Sequence, residues 1–298
     1  MRVFVTGATG FVGSAVVKEL ISAGHQVLGL ARSEVSAKGL IEAGAEVHMG
    51  HLEDLDSLRT GVAATDGVIH TGFIHDFLKF KENCEIDRRA IEAMGAELVG
   101  SDRPFIITSG IGLLTPGVLT NEKDMPNTSG FNPRVASEEA AGVVAAKGVR
   151  ISIVRLPPTV HGVGDHGFVP MLIGIAREKG ISVYSGEGSN RWPAVHRLDA
   201  AKLFRLALEK SAPGGTRYHA VAEEGVAFRD IAEAIGKGLN IPVVSKSSED
   251  AAAHFGWFAH FAALDCPSSS TPTQESLGWH PVQHGLIVDL TGDSYFTI

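Results

Sequence analysis

Three glycines spaced three apart, Gly7, Gly10 and Gly13, lie in the run Thr6-Gly7-Ala8-Thr9-Gly10-Phe11-Val12-Gly13. An apolar, strand-like segment, 2–6, precedes them. Residues 11–23 follow with Val12, Val16 and Leu20 at spacing four and Lys18 and Glu19 on the opposite side, the pattern of a helix with one buried face. Gly24 then ends that helix. A strand, a glycine turn and a helix N-terminus make an anion site, because unpaired N–H donors and the positive end of the helix dipole face the same point. Gly7 allows the tight turn, Gly10 removes the Cβ beneath the phosphates, and Gly13 lets helix and strand pack closely. A dinucleotide pyrophosphate suits this arrangement; the alternative is a glycine-rich turn that holds nothing.

The second strand, 26–31, runs into Arg32-Ser33. An acid at this place bonds a ribose 2′-hydroxyl, whereas an arginine pairs bidentately with a 2′-phosphate and Ser33 can add a hydroxyl. The pair therefore selects NADP(H) over NAD(H), unless Arg32 is simply solvated ahead of the next helix. Thirteen histidines are scattered through the chain. Imidazole exchanges a proton near neutrality, so His161, with His75 and His166 on loops, could serve as acid or base or could only hydrogen-bond locally. Arg134 cannot donate a proton at neutral pH, but it can hold a carboxylate or steady a developing alkoxide; otherwise it decorates a helix.

Strand-like and helical patterns that alternate position these groups: 2–6, 11–23, 26–31, 35–43, 45–49, 54–64, 67–71, 78–100, 104–108, 134–147 and 149–155. That alternation predicts an α/β fold with a Rossmann-type, doubly wound parallel sheet. After Pro157-Pro158 come Gly-, Pro- and His-rich loops, a strand at 181–184, a helix from 200 to 209 with Asp199 as its N-cap, a strand at 216–221 and a helix near 228–239. Residues 250–264, with Phe255, Trp257, Phe258 and Phe261, read as one aromatic helix that lines an apolar pocket or fills a core. For His196 and Asp199 a structural role is favoured. The expected division is 1–156 plus about 190–221 for the Rossmann domain, with about 157–189 plus 222–298 as a smaller, interleaved C-terminal substrate lobe.

Composition sets outer bounds. The chain has 298 residues, 44% hydrophobic and 20% charged, with a formal net charge of −8, and no clustered basic face for a nucleic-acid backbone. No apolar run approaches the ~18 residues of a membrane span. The start, Met1-Arg2-Val3-Phe4-Val5, reads as a strand and not as a signal peptide. Cys84 and Cys266, far apart, form neither a disulfide framework nor a metal cluster. A cytoplasmic protein with a small-molecule substrate and no bound metal is expected.

The glycine run resembles the extended branch of the short-chain dehydrogenase/reductase superfamily, and more narrowly its atypical, NAD-dependent epimerase/dehydratase-like members. The likeness continues in Gly50-His51-Leu52-Glu53-Asp54, Val68-Ile69-His70, Phe105-Ile106-Ile107-Thr108-Ser109, Val154 to Gly162, Val195 to Ala201 and Leu277-Gly278-Trp279-His280-Pro281. It implies cofactor contacts from Gly7, Thr9, Gly10, Phe11, Val12, Gly13, Arg32, Ser33, His51, Leu52, Thr71, Gly72, Phe73, Thr108, Pro157 and Val160. A homodimer through helices 78–100 and 134–147 is a further implication.

In that family a Tyr acts as general acid, a Lys lowers its pKa, and a Ser or Thr polarises the substrate oxygen. Here the corresponding segment is Arg134-Val135-Ala136-Ser137-Glu138, so Arg replaces Tyr and Glu replaces Lys. Gly110 stands at the hydroxyl's place, with Ser109 the nearest hydroxyl. Tyr184, Tyr218 and Tyr295 have no Lys four residues on. The expectation is an NADP(H)-dependent oxidoreductase acting on a small apolar or aromatic carbonyl or alcohol without that pair, using Ser109, Arg134 and His161. The rivals are a non-catalytic NADP(H)-binding sensor or interaction protein, and a sugar-nucleotide epimerase or dehydratase.

Overall fold

The computed structural model describes residues 1–127, 132–292 and 294–296. In chain order the first half forms β1 (Arg2–Thr6), α1 (Phe11–Ser22), β2 (Gln26–Ala31), α2 (Glu34–Glu42), β3 (Glu46–Met49), α3 (Leu55–Ala63), β4 (Gly67–His70), α4 (Phe80–Ala96), β5 (Phe105–Gly110), α5 (Ala136–Ala146) and β6 (Ile151–Leu156). Then follow β7 (Thr159–His161), α6 (Phe168–Lys179), β8 (Ser182–Ser185), β9 (Arg191–His196), α7 (Arg197–Glu209), β10 (Thr216–His219), β11 (Glu223–Ala227), α8 (Phe228–Leu239), β12 (Val243–Lys246), α9 (Ser248–Phe255), α10 (Ala259–Ala262), α11 (Thr271–Leu277) and α12 (Leu286–Leu290).

Seven strands pair in parallel in the order β10-β6-β5-β4-β1-β2-β3. Alternate side chains go to opposite faces: Val3 and Val5 pack with α1, α2 and α7, whereas Phe4 packs with α3, α4 and α5. Both faces are covered, as a parallel sheet requires. The order reverses between β1 and β4, which opens a crevice at their C-terminal ends. There the register sets Thr6 beside His70.

A three-stranded sheet, β11-β9-β7, and the β12–β8 pair stand apart from the large sheet. They share a core of Val169, Trp192, Phe228, Ile231, Phe258 and Leu286 with α6, α8 and α12. Two local expectations change. Helix α7 begins at Arg197, and the His196 ring caps it by accepting from Leu198 N. The buried Asp199 carboxylate instead accepts from Val282 N and Gln283 N at 3.0 and 2.9 Å, binding a distant turn in place of its own helix. The aromatic segment is also not one helix. Gly256, at φ +57°, takes a left-handed conformation open to glycine and stops α9 before a 3₁₀ turn and α10.

Candidate functional site

At the β1–α1 turn Gly7 has φ +64°, and a Cβ there would lie 2.6 Å from Gly72 N. A Cβ on Gly13 would lie 2.0 Å from Gly7 O and 2.8 Å from Thr71 Oγ1. The fold itself demands both glycines. Gly10 differs: it is exposed, and its Cβ would meet only Gly7 O at 3.2 Å. Helix α1 has no side-chain cap, whereas Ser33 caps α2 and Asp54 caps α3. Its first turn therefore presents N–H donors beside exposed Thr9 and Gly10. This cradle fits a pyrophosphate.

Neighbouring positions complete the crevice. Thr71 Oγ1 donates to Thr6 O at 2.8 Å and Gly72 N donates to Thr6 Oγ1 at 3.2 Å, locking the end of β4 to β1. Leu52 lies so close that a Cβ on Gly72 would sit 3.0 Å from it. Arg32 is exposed and pairs with no carboxylate among the described residues. The Ser33 hydroxyl already accepts from Ser36 N at 3.2 Å. His51 is exposed, Pro157 is buried, and Val160 packs partly into the large core.

Two buried polar networks occupy the far side of β4 and β5. In the first, His70 Nδ1 lies 2.6 Å from Thr6 Oγ1, and Nε2 lies 3.0 Å from Asp87 Oδ1 on α4. The other Asp87 oxygen accepts from Arg134 at 2.6 Å and from Ser137 at 2.5 Å, and Arg134 also donates to Thr108 O at 3.1 Å. Thr108 Oγ1 donates to His70 O at 2.9 Å. Burial alone would raise the Asp87 pKa, but the Arg134 guanidinium and the bonds from His70 and Ser137 hold it well below the usual carboxylate range.

In the second network Glu138 grips Arg155 with two bonds of 2.8 Å, accepts from Ser109 at 2.8 Å and faces Arg217 at 3.4 Å. Burial pushes the Glu138 pKa up and these partners more than reverse it. Burial and Arg155 lower the nearby His219 to about 4. Ser109 and Arg134 thus sit in adjoining networks. His161 lies in the smaller core instead, its Nδ1 2.6 Å from Asp289 Oδ2 of α12, its ring 5.5 Å from that of His196, and its buried Nε2 without a hydrogen-bond partner among the described residues.

An aromatic arc faces the crevice. The Arg134 guanidinium lies 4.2 Å over the Phe73 ring, which contacts His75 at 5.2 Å and Phe80 at 6.1 Å. Phe77 continues it to Trp257 at 5.5 Å and Phe261 at 5.7 Å, so the 250–264 aromatics serve both the small core and this wall. The His75 imidazole, reached by solvent yet ringed by protein, is held below its ordinary value by that desolvation first and by Arg134 and His166 next. The reading from residue types missed His70 and Asp87. The signal was there: Asn83, Asp87, Ile91 and Met94 form the buried stripe of α4, and a carboxylate in such a stripe demands a partner.

The model of the NAD dependent epimerase/dehydratase family matches residues 3–220. The chain belongs to that family, whose members and structural neighbours are extended short-chain dehydrogenase/reductase-type oxidoreductases and epimerases. An uncharacterised protein of Schizosaccharomyces pombe is 53% identical over 99% of this chain and 100% of its own. A 2-alkyl-3-oxoalkanoate reductase of Stenotrophomonas maltophilia is 27% identical over 83% of this chain and 78% of its own. The crystal structure of the UDP-glucose 4-epimerase of Thermotoga maritima with UDP-glucose matches the fold with a TM-score of 0.75 at 18% identity, covering 98% of this chain and 96% of that one. No helix among the described residues is long and apolar enough to cross a membrane.

Proposed function

We propose that the protein is an NADP(H)-dependent oxidoreductase acting on a small, uncharged carbonyl or its alcohol, held between the C-terminal edge of the sheet and the aromatic arc. The uncapped α1 N-terminus, over a turn in which Gly10 is the least crowded of the three glycines, carries the cofactor part of this reading. The nicotinamide would supply or accept the hydride. Arg134, neutralised by Asp87 and stacked on Phe73, suits a neutral oxygen on an apolar body better than a carboxylate. A 2-alkyl-3-oxoalkanoate reductase among the relatives supports a keto group as the reacting group; its substrate carries a carboxylate, so the preference for an uncharged body rests on the paired Arg134 alone. The location we assign is cytoplasmic, in keeping with two buried, unpaired cysteines.

Preference for NADPH tests the cofactor part. Fluorescence titration should show NADPH binding more tightly than NADH. Arg32→Ala should weaken NADPH about tenfold, the loss of ~1.4 kcal/mol from one exposed charge-assisted contact, and leave NADH within about twofold. An unchanged preference would remove Arg32 from the 2′-phosphate.

One observation favours a second reading, an NADP(H)-binding sensor without catalysis: Ser109 donates to Glu138, and His161 bonds Asp289. Ser109 can give its proton to a substrate only if its bond to Glu138 opens, and the His161 Nε2, although not used by Asp289, is buried and meets a substrate only if its surroundings open. Single-turnover assays with NADPH and a panel of neutral aromatic and aliphatic carbonyls separate the two. Turnover is expected, with Arg134→Ala slower by ~10²–10³ through loss of an oxygen-stabilising donor, and His161→Ala and Ser109→Ala reporting on the proton. Three variants at wild-type rate would clear these residues of a role. Tight NADPH binding with no turnover of any carbonyl would make the sensor the better description.

A further inference from the structure

Helices α1 and α7 lie side by side and run in the same direction. Arg205 Nε donates to Glu19 Oε1 at 2.7 Å, and eight residues earlier on each helix the Arg197 guanidinium stands over the Phe11 ring, 5.0 Å from its centroid. That equal offset brings both N-termini to the same end of the molecule, at the C-terminal edge of β1. Two positive dipole ends converge there, and Arg197, the first residue of α7, adds a full positive charge where a helix favours a negative one.

Arg197 is half-buried, and it has neither an ion pair nor a hydrogen bond from its side chain to any described residue. Arg205, on the same helix, has both Glu19 and Glu209. A partly desolvated cation without a counter-charge, beside two helix N-termini, is an unfavourable arrangement that an anion would relieve.

Loop 162–167 roofs the same spot. The His166 ring meets Phe11 edge-on at 5.7 Å, and a Cβ on Gly164 would lie 3.9 Å from the Arg197 guanidinium. Tyr295 fixes the loop: its hydroxyl accepts from Gly162 N at 3.1 Å and donates to Asp165 Oδ2 at 2.9 Å, while Gly167 N donates to Asp165 Oδ1 at 2.7 Å.

We infer that Arg197 is a ligand of the dinucleotide pyrophosphate, gripping it from the α7 side while the α1 N-terminus holds it from the other. The inference rests on the dinucleotide reading above. It assigns Arg197 a task distinct from that of Arg32: the pyrophosphate is common to NADPH and NADH, so Arg197 serves both equally.

The test is the dissociation constant of NADPH, NADH and adenosine 2′-monophosphate, which lacks the pyrophosphate, for wild type, Arg197→Gln and Arg197→Lys. Arg197→Gln should weaken both dinucleotides by about 10- to 100-fold, the range of one or two charge-assisted hydrogen bonds, with their ratio and the monophosphate unchanged. Arg197→Lys keeps the charge and the stem, so it also decides if Arg197→Gln does not fold; losing the fork should still weaken both dinucleotides several-fold. Wild-type affinity in both variants would overturn the assignment, and so would a loss confined to NADPH. A wild-type protein that binds neither dinucleotide would instead remove the cofactor reading, and this inference with it.

Discussion

Glu138→Gln should lower the unfolding free energy by about 3–5 kcal/mol, the cost of leaving a buried charge without its partner. The Arg155 side chain is 0% exposed and that of Glu138 3%, so no water replaces the carboxylate. The glutamine oxygen can still accept from Ser109, but its NH2 would face the Arg155 and Arg217 guanidiniums in place of the second carboxylate oxygen, and Arg217 would lose its nearest anion. Urea titration measures the effect as a lower midpoint at unchanged slope. A loss below about 1 kcal/mol, the range of a solvent-exposed pair, would mean that the cluster is wetter or looser than these distances imply.

The two buried networks together give the protein an acid limit. The folded pKa values of Glu138 and Asp87 lie below their unfolded values of roughly 4. The stability they contribute is therefore full above the unfolded values and is lost as pH falls through the folded ones. Stability should decline with acidification below about pH 5, and Glu138→Gln should flatten that decline. A wild-type stability independent of pH between neutrality and strong acid would contradict both shifts.

The second large effect belongs to the glycine turn. Gly10→Val should leave the protein folded and weaken dinucleotide binding by about 100-fold or more. Gly10 has extended backbone, φ −75° and ψ 175°, which valine adopts readily, and only Gly7 O stands near the new Cβ. The branched side chain would instead fill the space above the α1 N–H groups, and one or two lost bonds to phosphate at ~1.5–3 kcal/mol each account for the factor. Gly13→Val is the contrast, because its Cβ meets the Gly7 carbonyl at 2.0 Å and should unfold or distort the turn. Circular dichroism with titration separates the two. A folded Gly10→Val protein of unchanged affinity would falsify the turn's assignment.

The sheet was legible because period-two strands and period-four helices alternate where each element buries one face, and this local rule survives folding. The β1–α1 glycine turn was legible for the same reason: its glycines, strand and helix are contiguous. What lay hidden were contacts between residues distant in the chain. Nothing near Asp199 announces that its carboxylate binds Val282 and Gln283. Nor does the Pro157 to Gly162 segment show that His161 turns toward Asp289, 128 residues on. Arg134 and Glu138 looked like two missing catalytic groups; in space each has its own counter-charge, Asp87 for one, Arg155 with Arg217 for the other.

That last arrangement closes a route through sequence space. Arg134→Tyr alone would strip the buried Asp87 of its cation, and Glu138→Lys alone would set an ammonium between Arg155 and Arg217. Each single step toward the Tyr–Lys pair therefore crosses a state with an unpaired buried charge. The residues are epistatic as two groups, Asp87 with Arg134 and Glu138 with Arg155 and Arg217. A chain carrying them can acquire the pair only by changing several positions together.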